Sequence, residues 1–175
     1  ILVGNDGSSE TYVANKVRDC EEVGFKSTLI RLPEETTTEE LLTNIGILNE
    51  DRDIDGFIVQ LPLPRHIDEA RIIESIDPVK DADGFHPVNI GKMVSGIHGF
   101  LPATPYGIIE LIKRYNIDTE GRNCVIIGRS NIVGRPLSIL LSQKGMDATV
   151  TVVHSKTKNI DEIIRKAEII VAAMG

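Results

Sequence analysis

Short apolar runs of strand character alternate with stretches of helical periodicity along most of this 175-residue chain, and that rhythm leaves few folds open. The run "ILVG" is followed by a predicted helix from about Ser9 to Val23, then "STLIRL", then a helix opened by Thr37 with Glu40 three residues on, a capping-box spacing. Next come "GFIVQL" and a short helix from about Asp68 to Ser75. A Gly-, Pro- and Asp-rich passage, "DPVKDADGFHPVNIGKMVSGIHGFLP", interrupts the pattern. It resumes with a helix opened by Thr104 and Pro105, the strand "NCVIIG", a helix after Ile132, the strand "TVTVV", a helix capped by Asn159, and "EIIVAAM". Such alternation predicts right-handed βαβ units and an α/β fold of two three-layer lobes with parallel sheets. The long passage is the expected boundary, with a first lobe over residues 1–100 and a second over 101–175. Because the chain opens inside a strand pattern and closes on a strand followed by glycine, it is expected to be an interior portion of a longer protein.

Charge and composition narrow the partners. Hydrophobic residues make up 41% of the chain, enough for a proper core, and no segment approaches the roughly 18 apolar residues of a membrane span. A soluble, cytoplasmic protein with no membrane partner is expected. A net charge of −7 with dispersed Lys and Arg argues against nucleic acid, since phosphate backbones demand a basic face. Cys20 and Cys124 lack CxxC or His spacing and read as buried thiols in a reducing compartment. No metal is expected.

In the second lobe, "CVIIGRSNIVG" sets Gly128 at a strand end and Gly134 in the first turns of a helix. This GxSxxxG pattern is a variant of a pyrophosphate loop. Gly128 allows the tight turn, Ser130 offers a hydroxyl, Gly134 lets helix and strand approach, and the helix N-terminus faces the phosphates. The structural alternative is an ordinary βα turn. A Rossmann-like lobe is therefore expected, and the end of its next strand reports on the cofactor. An NAD site places an acid there, whereas "VVHSKTK" supplies His154, Ser155 and Lys156 and no acid, unless these form only a solvated strand-to-helix loop; Arg129 adds a planar fork for a 2′-phosphate. NADP is the expected cofactor.

The first lobe places a lysine where a hydrophobe belongs. Wound at about 100° per residue, Val13, Val17, Cys20, Val23 and Gly24 share one arc of roughly 120°, and Lys16 lands inside it with Tyr12 one turn earlier at its margin. Snorkelling of the ammonium to solvent is the structural alternative. The chemical reading is that desolvation disfavours the charged form, so that Lys16 exchanges a proton near neutrality while Tyr12 covers a flat ring. "GFIVQLPLP" ends a core strand on an amide, Gln60, just before Pro62 and Pro64 stop the pairing. Ligands in open α/β sheets bind beyond the carboxyl ends of the strands, so Gln60 is expected to project its donor and acceptor there, on the edge shared with Lys16; the structural alternative is a strand-end amide bonding its own loop. In "KDADGFHP", Asp81 and Asp83 are either turn residues or carboxylates for the N–H groups of a heterocycle. His66, His86 and His98 carry no assigned chemistry.

With "YVANK", "GFIVQLPLP", "KDADGFHPVN" and "GRSNIVG" in this order, the chain resembles the methylenetetrahydrofolate dehydrogenase/cyclohydrolase family from about Asp6 to its last residue. The resemblance implies a homodimer of two-lobed chains, a tetrahydrofolate derivative as substrate between the lobes, and NADP on the second. It implies oxidation of 5,10-methylenetetrahydrofolate and hydrolysis of the resulting methenyl compound to 10-formyltetrahydrofolate. Lys16 becomes the central catalytic residue, Gln60 its hydrogen-bond partner, and Tyr12 the stacking ring. Val59 and Leu61 line the same substrate segment, and Asp83 anchors the pterin edge. Gly128, Arg129, Ser130 and Ser155 become cofactor contacts. Family members also continue with further strands, a Pro-Gly-Gly-Val-Gly-Pro loop and a C-terminal helix, which this chain does not contain. The alternatives are a monofunctional NADP-dependent dehydrogenase, in which Lys16 does no hydrolytic work, and a noncatalytic nucleotide-binding module.

Overall fold

The computed structural model describes residues 1–174, with Ser8 through its backbone alone. The chain divides into two compact units, Ile1–Ala82 and Asp83–Gly175. The division falls earlier than the sequence boundary after residue 100, because the intervening passage packs into the second core. That passage contains a helix the sequence reading lacks. His86 caps it by accepting the Val88 N–H on Nδ1 at 3.1 Å, Pro87 occupies its first turn, and Met93 is buried among Ile109, Leu137 and Leu141.

The first unit contains β1 (Leu2–Val3), α1 (Gly7–Glu22), β2 (Arg31–Leu32), α2 (Thr38–Glu50) and α3 (Glu69–Ser75). Asp6 caps α1 by accepting the Ser9 N–H at 2.8 Å, so the helix starts two residues before the expected Ser9. It ends at a left-handed Gly24, which turns the chain and leaves Val23 68% exposed rather than in the apolar arc. The capping box of Thr37 and Glu40 is present at the head of α2.

β1 pairs with β2 in parallel, Leu2 opposite Arg31. "GFIVQL" is an extended segment rather than a full strand, with a single parallel bridge from Phe57 to Asp81. Its backbone is nonetheless paired on both sides. Ile1 donates to Ile58 O at 2.7 Å and accepts from Gln60 N at 2.9 Å, while Phe57 N donates to Lys80 O at 2.9 Å. The layer therefore runs β2, β1, 57–60, 80–82, all parallel. The cis Leu61–Pro62 bond follows Gln60 directly, and Pro62 has no N–H to extend the ladder. Leu41, Ile45, Val59, Ile67 and Ile72 form the core beneath.

The second unit contains α4 (Pro87–Val94), just described, α5 (Ala103–Arg114), β3 (Asn123–Ile127), α6 (Gly134–Ser142), β4 (Thr149–Val153), α7 (Ile160–Arg165) and β5 (Ile169–Ala172). The sheet is parallel in the order β4, β3, β5, with Val125 opposite both Thr151 and Ile170. Cys124, Ile126, Leu137 and Leu141 are fully buried between sheet and helices. Both units have the predicted α/β character with parallel sheets.

Candidate functional site

In the first unit, the chain leaves β1 at Gly4, turns through Asn5 and Asp6, and enters α1. The third extended segment of the layer, 57–60, lies on the opposite side of β1 from β2. Chain direction thus switches sides at β1, and the carboxyl ends of β1 and 57–60 flank the place where an open α/β sheet takes its ligand. α1 displays Val13 at 6% exposure, Lys16, Val17 and Cys20 half-buried, and Tyr12 at 65% exposure. The lysine is therefore partly withdrawn from water, as its place in the apolar arc implies, and Tyr12 offers an open ring face.

Gln60 is half-buried at the carboxyl end of its segment. Its Nε2 donates to Leu61 O at 2.7 Å, so the amide's donor bonds its own loop rather than projecting outward as expected, while its Oε1 is buried with no hydrogen-bond partner among the described residues. Ser9, on the first turn of α1 and 3% exposed, likewise buries an Oγ with no partner. A buried acceptor without a donor costs about 1–3 kcal/mol, so such atoms in a folded protein call for an explanation. The sequence reading missed Ser9, although its place on the helical wheel beside Lys16 was there to be read. Val59 points its side chain into the core at 5% exposure, and Leu61 is half-buried.

Asp81 is 2% exposed in the first unit, whereas Asp83 is half-buried and belongs to the second. Asp83 is fixed by its own backbone. Its carbonyl accepts from Ala103 N at 3.3 Å, and a Cβ on the adjacent Gly84 would lie 2.5 Å from the Leu101 carbonyl carbon. Asp83-Gly84 is thus pressed against the chain entering α5, a tighter arrangement than a solvated turn.

In the second unit, the order β4, β3, β5 again places the switch at the first strand of the sheet, between β3 and β5. There the loop from Gly128 to Val133 joins β3 to α6. A Cβ on Gly128 would lie 2.3 Å from Ala173 O, and one on Gly134 2.3 Å from Gly128 O. Both glycines are therefore required by close backbone approach. Ser130 Oγ accepts from Val133 N at 3.1 Å and Gly134 N at 3.3 Å, capping α6 while keeping its own hydrogen free to donate outward. Arg129 and Ser130 are exposed.

At the end of β4, His154 N donates to Thr157 Oγ1 at 2.9 Å and Lys156 N donates to His154 Nδ1 at 3.2 Å. This closes a turn with Ser155 and Lys156 exposed on it and no acid in it. A glycine cradle too tight for any Cβ, a capped helix N-terminus and an acid-free second turn fit a phosphorylated dinucleotide. Cys124 is fully buried, and burial pushes its thiol above the ordinary cysteine range, which removes it from site chemistry.

Two parallel α/β units, each with a ligand-type switch point and one carrying a dinucleotide loop, define the class of two-unit α/β chains with a Rossmann-like nucleotide-binding lobe. Comparison with known families makes it specific. Residues 1–83 match the tetrahydrofolate dehydrogenase/cyclohydrolase catalytic domain and residues 102–175 match its NAD(P)-binding domain, so the chain belongs to that family. The bifunctional protein FolD of Porphyromonas gingivalis is 59% identical across the whole of this chain, which spans 60% of that relative's length. The crystal structure of the bifunctional FolD enzyme from Campylobacter jejuni superposes with a TM-score of 0.94 at 49% identity, covering 99% of this chain and 61% of that one. The Trypanosoma brucei dehydrogenase-cyclohydrolase, solved with NADP and an inhibitor, gives 0.93 at 36% identity over 99% and 59%. No helix among the described residues is long and apolar enough to cross a membrane.

Proposed function

We propose that the protein carrying this chain oxidises 5,10-methylenetetrahydrofolate with NADP and hydrolyses the 5,10-methenyl product to 10-formyltetrahydrofolate. The observation that carries this reading is that one chain matches both halves of the family in order, catalytic and NAD(P)-binding. Family membership also supports a homodimer, and the reading places it in the cytoplasm.

Bound NADP would accept the hydride from the one-carbon bridge, leaving that carbon as a methenyl cation. Gly128, Gly134 and the α6 N-terminus would hold the pyrophosphate. Arg129, His154 and Ser155 would meet the 2′-phosphate, and Ser130 would donate its free hydrogen. In the first unit, Tyr12 would stack on the folate, with Val59 and Leu61 along the same ligand; Asp83, the first residue of the second unit, would accept N–H groups of the pterin. Water then adds to the methenyl carbon and loses one proton; as the C–N5 bond breaks, the hydroxyl gives up its remaining proton to become the formyl oxygen and N5 gains one, so that a single proton is released overall. Lys16 would move these protons, and Gln60 Oε1, a buried acceptor without a hydrogen-bond partner among the described residues, would receive its amine.

The test is Lys16→Met in the full-length protein. Hydrolysis of methenyltetrahydrofolate should fall by roughly 10²–10⁴-fold, the usual share of a positioned proton carrier. NADP affinity should be unchanged. Hydrolysis at the normal rate would refute the assignment.

A further inference from the structure

We propose that Lys80 is a positioning residue for the proposed site, a clasp that sets the depth and register of the segment ending in Gln60. α2 ends without a cation: its last turn carries no basic residue, and Glu50 and the capping Asp51 add negative charge where the helix dipole is already negative. The missing cation comes from 30 residues downstream. Lys80 Nζ donates to Leu48 O at 2.8 Å and also to Asp51 O, so one half-buried ammonium satisfies two carbonyls at the end of the helix.

The same residue holds the neighbouring segment through its backbone. Lys80 O accepts from Phe57 N at 2.9 Å, and Ala82 N donates to Phe57 O at 3.3 Å. The approach is close: a Cβ on Gly56 would stand 3.2 Å from Lys80 O. Asn49 reinforces the contact from α2, donating to Ser75 O at 2.8 Å and accepting from Asp77 N at 2.9 Å, and Lys80 N closes the turn onto Asp77 O at 2.8 Å. A rigid helix end thus fixes Lys80, Lys80 fixes Phe57, and three residues later the chain reaches Gln60. On the other side the Gln60 N–H donates to Ile1 O at 2.9 Å. Removing the ammonium frees the 77–82 turn and loosens one flank of 57–60, and a displacement near 1 Å at a reacting centre can cost about 10²-fold in rate.

The role rests on the catalytic reading above, so the experiment separates the two. Lys80→Met, Lys80→Arg and Ile45→Val are made in the full-length protein, the last lowering stability from the same helix without touching the clasp. Hydrogen exchange of the peptide over 57–61 should rise about tenfold in Lys80→Met, stay near wild type in Ile45→Val, and recover in Lys80→Arg, whose fork reaches both carbonyls. Methenyl hydrolysis should fall about tenfold in Lys80→Met with a displaced pH–rate profile, while the KM for NADP holds. Unchanged exchange over 57–61, or a rise matched by Ile45→Val, overturns the clasp. Raised exchange with normal hydrolysis and pH profile overturns its role in positioning. Neither exchange result depends on the reaction, so a failure of the Lys16 assignment remains distinguishable.

Discussion

Replacing Gly134 by alanine adds one methyl group where the backbone has no room for it. The new Cβ would sit 2.3 Å from Gly128 O, 2.7 Å from Gly128 C and 3.0 Å from Arg129 Cα, all of them backbone atoms. Reaching an ordinary 3.4 Å contact with the carbonyl oxygen means moving the loop or the helix by about 1.1 Å. Hydrogen bonds of about 2.9 Å do not survive such a shift intact, and each one to a charged group is worth roughly 1.5–3 kcal/mol. The loss of one such bond to the pyrophosphate raises Kd for NADP by about 10–100-fold. Overpacking of this kind also costs about 1–3 kcal/mol of stability. The matched control is Gly107→Ala. Gly107 lies in α5 with nothing within 4 Å of its Cβ position, and alanine there should stabilise by roughly 0.5–1 kcal/mol without touching the cofactor. Isothermal titration of the full-length variants with NADP, alongside thermal unfolding, reads both quantities. A Gly134→Ala protein that binds NADP with wild-type affinity and melts at the wild-type temperature would refute the cradle argument.

Two further outcomes test the second unit. Arg129→Ala should lower the preference for NADP over NAD by about 10–100-fold in kcat/KM, the value of one charged hydrogen bond, and an unchanged ratio would remove Arg129 from the 2′-phosphate. Glu168 accepts Asn123 N at 3.0 Å and Arg122 at 2.7 Å, and the backbone N–H first, then the guanidinium, hold its carboxyl below the ordinary glutamate value. A lowered folded value favours the ionised form, so its contribution is complete above the ordinary value and is lost as pH falls through the folded one. The Tm difference between wild type and Glu168→Gln should therefore be largest near neutrality and shrink on acidification; a pH-independent difference would contradict the assignment.

Residues whose role follows from spacing were legible in the sequence. Thr37 and Glu40 form their capping box, Gly128 and Gly134 form a cradle, and Lys16 lies partly withdrawn on α1, because each depends on a fixed offset within one element. Features that depend on distant pairing were not. α4 lay hidden because it is short and Gly91 interrupts its apolar pattern, and it is recognisable only once Met93 has the second core to enter. Val23 fitted the apolar arc by angle, yet the helix stops at Glu22 and the left-handed Gly24 turns the chain away. "GFIVQL" carried the composition of a buried strand, but its ladder is supplied by Ile1 and by Lys80–Ala82, partners that no local pattern announces.

The parallel between the two units explains where the chemistry collects. In each, the first strand in sequence stands between the second and third extended segments: β2, β1, 57–60 in one and β4, β3, β5 in the other. The two right-handed crossovers, first strand to second and second to third, must then lie on opposite faces of the sheet, and an opening forms between the carboxyl ends of the first and third strands. The fold creates that opening whatever the side chains are. The side chains decide its use. Around the β3 end the chain supplies glycine, serine and arginine with no acid, which suits phosphates; α1 and the segment 57–60 supply an open tyrosine, a half-buried lysine and a buried amide acceptor, which the proposed reading assigns to a flat ring and a moving proton. Exchanging the roles would fail on charge alone, since the Asp6 carboxylate caps α1 where a pyrophosphate would have to sit, whereas α6 is capped by the neutral Ser130.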